Sequence, residues 1–436
     1  MALTGRTALL ALAGVLVVGL LLPSAAGLGL VCGVLLAGVA ADLLLAAPVR
    51  TLQLSRSGDT SVRLGESAQV TLTVGNPSRR RLRARLRDAW PPSSWTPGTE
   101  QAASRHRLDI PGGERRRATT VLRPTRRGDR RAHRVTIRST GPLGLAARQG
   151  SHTVPWSVRV LPPFTSRKHL PSRLARLREL DGRTSLLVRG QGTEFDSLRE
   201  YIPGDDVRSI DWRASARRSA VAVRTWRPER DRHLLIVLDT GRTSAGRVGD
   251  APRLDAALDA ALLLAALATR AGDRVDLLAH DLRTRASVQG RAAAEVLPSF
   301  VNAMAVLEPA LVETDFRALT AAVLKRVPHR SLVVLLTSLD SAPAEQGLLP
   351  LLPGLTRRHE VLVASVSDPR VAELAAARGT LDAVYGAASA EQTRADRRRT
   401  ADRLIRHGVT VVDAPPADLP PALADAYLAL KAAGRL

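Results

Sequence analysis

Oxygen-bearing side chains at the ends of apolar runs are the residues of this sequence whose types and spacing could do chemistry. The run 234–239 ends in Asp239-Thr240-Gly241-Arg242-Thr243. A second position carries Thr314-Asp315, and the run 331–338 leads into Thr337-Ser338-Leu339-Asp340. One carboxylate and two hydroxyls are a donor set for a hard cation such as magnesium, which takes oxygen ligands in near-octahedral geometry and keeps several waters. Asp239, Thr243 and Thr314 are the candidate metal ligands. A vestigial cluster, hydrogen-bonded within itself, is the alternative, and both stay open at this point.

Other reaction chemistry finds no residues. Residues 241–248 have the spacing of a phosphate-binding loop, but Arg247 and Val248 stand where GxxxxGK[ST] needs a lysine and a hydroxyl. There is no HExxH and no GxSxG, and the nine histidines are scattered. With Cys32 as the one cysteine, intramolecular disulfides, zinc ribbons and CxxC pairs are excluded. The expectation is a protein that binds rather than an enzyme, with magnesium optional and no other cofactor.

The densest stretch is 192–232, in which acids and arginines alternate: Arg199, Glu200, Asp205, Asp206, Arg208, Asp211, Arg213, Arg217 and Arg218. Pro203-Gly204 presets a turn, after which Asp205 or Asp206 can cap a short helix, with Ile210 and Trp212 as apolar anchors. One reading is a set of ion-paired clasps that pin the segment onto the following domain. The other is a docking face for a partner, built from Arg199, Tyr201, Asp205, Asp206, Arg208, Asp211, Trp212, Arg213 and Arg217, with Arg208, Trp212 and Arg213 as typical hot-spot types.

These residues need elements to hold them. From 234 onward apolar strands (234–239, 274–280, 331–338, 360–366, 409–413) alternate with helical stretches (253–270, 292–307, 315–325, 369–378, 391–407 and a last helix to 433). Uninterrupted apolar strands between helices predict a doubly wound, mostly parallel sheet, with ligands at the carboxyl ends of its strands. The region 51–165 instead shows short alternating segments (67–74, 81–87, 117–122, 133–139) between turn formers, as a small β-sandwich would.

Between Arg6 and Asp42 no residue is charged, and as one helix that stretch would run roughly 50 Å against a hydrocarbon core of about 30 Å. Pro23-Ser24 divides it into 5–22 and 25–47, which predicts a transmembrane helical hairpin. Arg6 before it and Arg50 and Arg56 after it place the remainder in the cytoplasm by the positive-inside rule. A cleaved secretory signal ending at Ser24-Ala25-Ala26 is the alternative. The resulting division is 1–50 hairpin, 51–165 basic β domain, 166–233 connecting segment and 234–436 α/β domain.

Of 64 basic residues 61 are arginines, and the formal charge is +23. The excess is uneven: 51–165 carries 22 basic and 7 acidic residues, whereas 234–436 carries 24 and 23. Charge concentrated beside a membrane segment points to anionic inner-leaflet lipids as partner. Nucleic acid is not expected, because aromatic residues are only 3% of the chain and stacking platforms are scarce.

Two resemblances follow from these residues. The strand tips at Asp239, Thr243 and Thr314 resemble the magnesium site of the von Willebrand factor A domain, with Gly241 in place of a serine and Ser338 in place of the third-loop aspartate. The segment Gly192, Glu194, Phe195, Leu198, Arg199, Tyr201, Gly204, Asp205, Asp206, Arg208, Ile210, Asp211, Trp212, Arg213, Ser215, Ala216, Arg217 resembles the signature of the bacterial DUF58 family. Arg126-Arg127-Gly128 and Gly141-Pro142-Leu143-Gly144-Leu145 are similar to its weaker landmarks. The resemblance implies a multi-pass protein of the bacterial membrane with cytoplasmic domains. It would act as a scaffold or adaptor for a MoxR-type AAA+ ATPase or its client. An outward-facing, magnesium-dependent adhesion domain is the second function the sequence allows.

Overall fold

In the strand Leu82–Asp88, Leu82, Ala84, Leu86 and Asp88 are buried while Arg83, Arg85 and Arg87 are exposed. That period of two is what places arginines on one face of a strand and a core on the other. A computed structural model describes residues 2–187, 194–203, 205–218, 220–227, 232–290 and 292–436. The chain divides into two compact units, 1–163 and 164–436.

The first unit begins with two apolar helices, Gly5–Leu20 and Ala25–Leu45. Mostly antiparallel sheets follow. One has the order Ala2–Leu3, Ala146–Thr153, Arg134–Thr140, Leu82–Asp88, Arg105–Ile110. A second joins Gln53–Gly58, Ala68–Gly75 and Arg115–Leu122, and a third Ser61–Arg63, Ser157–Leu161 and Gly128–Arg131. Leu72, Leu82, Leu86, Ile110 and Ile137 form the centre of one core, to which Ala47 and Val49 contribute from just beyond the second helix.

The expectation of two full-length spans needs correction. Among the described residues Ala25–Leu45, with 21 residues and a mean hydropathy of 2.4, is long and apolar enough to cross a bilayer. Gly5–Leu20, with 16 residues, is not, since it measures about 24 Å against a core of about 30 Å. Thr4 fixes its start by hydrogen bonding to Leu145, and Pro23 disfavours helical backbone at Leu22, so it cannot lengthen at either end.

The second unit is built on a six-stranded sheet in the order Thr284–Val288, Arg274–His280, His233–Asp239, Leu332–Leu336, Glu360–Val366, Thr410–Ala414. All pairs are parallel except the Thr284–Val288 edge. Leu235, Val237, Val333 and Leu335 pack with Phe316, Leu319, Leu352 and Leu404 from one layer of helices. Helices Arg253–Arg270 and Leu419–Ala432 pack on each other and on the sheet. Numbered in chain order, the parallel strands run 2-1-3-4-5, so the order reverses between His233–Asp239 and Leu332–Leu336. In such sheets ligands sit at that switch point, beyond the carboxyl ends.

The elements not anticipated from the sequence include the helix Leu170–Leu187, the edge strand Thr284–Val288 and ten residues at the front of Leu381–Arg406. The last begins early because Thr380 accepts a hydrogen bond from the Ala383 N–H at 3.2 Å and so caps it.

Candidate functional site

Asp239 ends the central strand at the switch point and is 1% exposed. Its Oδ1 accepts the Gly241 N–H at 2.8 Å and the Thr314 hydroxyl at 2.5 Å. Its Oδ2 accepts the Thr337 hydroxyl at 2.6 Å and the Thr243 hydroxyl at 3.4 Å. The geometry thus brings together all three sequence candidates and adds Thr337. Ser338, expected to stand in the third loop's ligand position, instead receives the Arg253 guanidinium at 3.3 Å, and Arg253 also reaches Asp340 at 3.2 Å. The strand alternation explains the difference: neighbouring residues point to opposite sides, and 337 is the one aimed at Asp239.

Gly241 is fixed by space, because a Cβ there would collide with Thr314 Oγ1. The hydroxyl of Thr314 therefore fills the room that a serine at 241 would need. A cavity of about 10 Å³ beside Thr243, Ser244, Arg253 and Thr337 is the size of a single water. Among the described residues no three His, Cys, Asp or Glu side chains gather for a metal. A magnesium ion with its retained waters needs more oxygen ligands and more room, so the residues as arranged do not fit it. They form a carboxylate satisfied by four N–H and O–H donors.

His280, opposite Asp239 on the neighbouring strand, is buried with neither ring nitrogen hydrogen-bonded among the described residues. Burial lowers its pKa, against the opposing pull of Asp281, Asp315 and Asp239. It is a packed ring with no hydroxyl hydrogen-bonded to it among the described residues.

The signature segment is a self-closed hairpin. Strands Glu194–Glu200 and Ala222–Arg227 pair antiparallel around a short 3-10 turn, Val207–Ser209, and the helix Trp212–Arg218. Arg199 grips Asp205 with two bonds, at 2.7 and 2.5 Å, and the Ile202 N–H adds a third at 3.0 Å. Asp206 caps the 3-10 turn through the Arg208 N–H at 2.9 Å. Asp211 caps the helix through the N–H groups of Arg213 and Ala214 and receives Arg224 Nε at 2.8 Å. The Ala214 N–H first, then Arg224, hold its carboxyl below the usual carboxylate range. Ser215 links the helix back to the Ala222 N–H at 2.8 Å, and Tyr201 donates its N–H to Val221.

Among the described residues the ion pairs Arg199–Asp205 and Arg224–Asp211 both join residues of the segment to each other. Trp212 is no anchor: it is 66% exposed, with Ile202 and Val207 also exposed. Ile210 does bridge to Val223. Arg208, Arg213 and Arg217 are exposed and make no ion pair among the described residues. Gly192 and Gly204 lie outside the described residues. Arg224, the partner of Asp211, was missed because it falls beyond the signature.

A third constellation was not foreseen. Asp42, in the last turn of the second apolar helix, is 0% exposed. Its carboxylate accepts the N–H groups of Leu143 at 2.8 Å, Leu145 at 2.5 Å and Ala146 at 3.0 Å. Gly141 is needed because a Cβ there would strike Asp42, and Gly144 because its φ is +74°. The same loop takes the front of the first helix: Thr4 and Thr7 hydroxyls reach the carbonyls of Gly144 and Leu145, and Ala2–Leu3 pairs with Ala146 and Ala147. Arg148 at 2.8 Å and Arg80 donate to the last helical carbonyls, Leu43 and Leu44. The available signal was the carboxylate itself, since an ionisable residue within an apolar helix has a partner by default.

A parallel sheet with a saturated carboxylate at its switch point, preceded by antiparallel sheets and apolar helices, defines a mixed α/β protein. Residues 197–410 match the model of the family described as "Protein of unknown function DUF58". The chain is 28% identical over 190 residues to Uncharacterized protein Rv1480 of Mycobacterium tuberculosis, covering 43% of this chain and 59% of that one. It is 27% identical over 206 residues to Uncharacterized protein YeaD of Bacillus subtilis, covering 46% and 50%. The matches thus span only 50 to 59% of the length of these relatives. Among solved structures, proximal thread matrix protein 1 from the mussel byssus aligns at 13% identity over 47% of each chain with a TM-score of 0.28. The CARDB domain of a Pyrococcus furiosus protein aligns at 14% identity over 25% of this chain and 86% of that one, with a TM-score of 0.19. Likeness at this level carries no argument.

Proposed function

We propose that the protein is a non-enzymatic, membrane-anchored scaffold whose signature hairpin docks a cytoplasmic partner, in keeping with the MoxR-type AAA+ ATPase or client that the family resemblance implies. The observation that carries this reading is the exposed Trp212, flanked by Arg208, Arg213 and Arg217, on a segment whose carboxylates Asp205 and Asp211 are occupied in closing it. An apolar aromatic beside guanidiniums that make no ion pair among the described residues, on a preorganised base, is the composition of an interface hot spot.

Membrane anchoring is supported by the two apolar helices, whose leucines and valines are largely exposed, and by Asp42, Thr4 and Thr7 meeting one loop. The start of the first helix and the end of the second then lie at one loop on one side, and the shorter helix accompanies the longer one without itself spanning a bilayer. Arg6, Arg50 and Arg56 make that side the cytoplasm. The sheet unit is read as von Willebrand factor A-like from its strand order and the hydroxyls around Asp239. The magnesium-dependent, outward-facing alternative is not adopted, because Thr314 fills the ligand position at 241.

The test is capture of a purified MoxR-type ATPase by the full chain in detergent. Trp212→Ala and Arg213→Ala are expected to weaken capture about thirtyfold each, with unchanged melting. Equal capture by the parent and Trp212→Ala would refute the docking role.

A further inference from the structure

We propose that Arg6, Arg80 and Arg148 form a phosphate-level site for an anionic phospholipid headgroup; this rests on the membrane reading above. Position is set by bonds. Arg148 and Arg80 are attached to the final carbonyls of Ala25–Leu45, and Arg6 lies over Gly144, where a Cβ would come within 2.9 Å of its Nη1. All three guanidiniums therefore sit within about a turn of the point where the longer apolar helix ends, the depth of lipid phosphates.

Their charge has no counterpart among the described residues. The nearby carboxylate, Asp42, is buried and takes three backbone N–H groups. Arg80 and Arg148 spend one donor each on neutral carbonyls, and none of the three arginines makes an ion pair among the described residues. A guanidinium carries five N–H donors in a planar fork that matches phosphate oxygens bidentately. Three of them around one helix end fit a phosphodiester with net negative charge. A zwitterionic headgroup brings its own ammonium and gains less.

The experiment is native mass spectrometry of the full chain in non-ionic detergent, with phosphatidylglycerol or phosphatidylcholine of the same acyl chains added at equal concentration. At least tenfold preferential retention of phosphatidylglycerol is expected. Arg6→Gln, Arg80→Gln and Arg148→Gln together should remove the preference. Arg105→Gln, Arg107→Gln and Arg117→Gln, exposed and of equal total charge, should leave it. Arg6→Gln alone, which leaves both helix-capping arginines in place, should lower retention in the same direction if the triple variant does not fold. Equal retention of both lipids, or equal loss with the control set, overturns the site. A chain that stays dispersed in buffer without detergent overturns the membrane reading itself.

Discussion

Two buried carboxylates, one in each unit, are saturated in opposite ways. Asp42 takes three main-chain N–H groups from a single loop, whereas Asp239 takes three side-chain hydroxyls from three loops and one N–H. Main-chain donors are present whatever the residue, so at Asp42 the requirement falls on Gly141 and Gly144, which let the backbone approach. At Asp239 it falls on residue type. The first carboxylate ties a helix to a sheet, and the second ties strand tips to one another.

The strongest way to break this contrast is Asp42→Asn. It keeps shape but removes the charge and half the acceptor capacity, and should cost about 3 kcal/mol in denaturant unfolding of the full chain. Loss of hydrogen-exchange protection confined to 141–147 should accompany it. Unchanged stability would mean that the loop finds its donors other partners.

Next comes Gly241→Ser, which restores a ligand type but collides with Thr314, and should cost about 2 kcal/mol with or without magnesium. Thr337→Val, which removes one hydroxyl donor to Asp239, should cost about 1.5 kcal/mol. The parent protein should show no magnesium-dependent melting shift. A shift that Asp239→Ala abolishes would turn the second carboxylate back into a metal ligand.

Smaller effects lie in pH. His280 has a folded pKa below the ordinary 6.5, so the unfolded chain takes up a proton that the folded chain does not. Its contribution is complete above pH 6.5 and is lost as pH falls from there toward the folded value; His280→Gln should flatten that part of the stability profile. Asp211 is depressed by the Ala214 N–H and Arg224, so its contribution holds above the ordinary carboxylate pKa of about 4 and fades only in stronger acid. Asp211→Ala should loosen the 199–224 hairpin to proteolysis while leaving the sheet unit's melting in place.

The same contrast explains what the sequence made legible. Apolar strands and the helix Arg253–Arg270 were readable because burial on two faces imposes unbroken hydrophobicity. The hydroxyls around Asp239 were readable because side-chain donors leave their names at strand tips. Thr337 was passed over for Ser338 because one step along a strand reverses direction, and register cannot be counted without the partner strand. Charge conceals Leu170–Leu187 from its pattern, and Trp212 reads as an anchor because its exposure is a tertiary property. The Asp42 clasp shows in the sequence only as a carboxylate inside an apolar helix and a glycine pair a hundred residues away.

That distance orders assembly. Leu143 and Ala146 follow Asp42 by 101 and 104 residues, so on the ribosome the loop emerges on the order of 5 to 20 s after the helix it must hold. Through that interval the apolar pair carries an unmatched negative charge at one end. Insertion and sheet closure are thereby separate events, and a stall between them would leave a helix in lipid awaiting its lock.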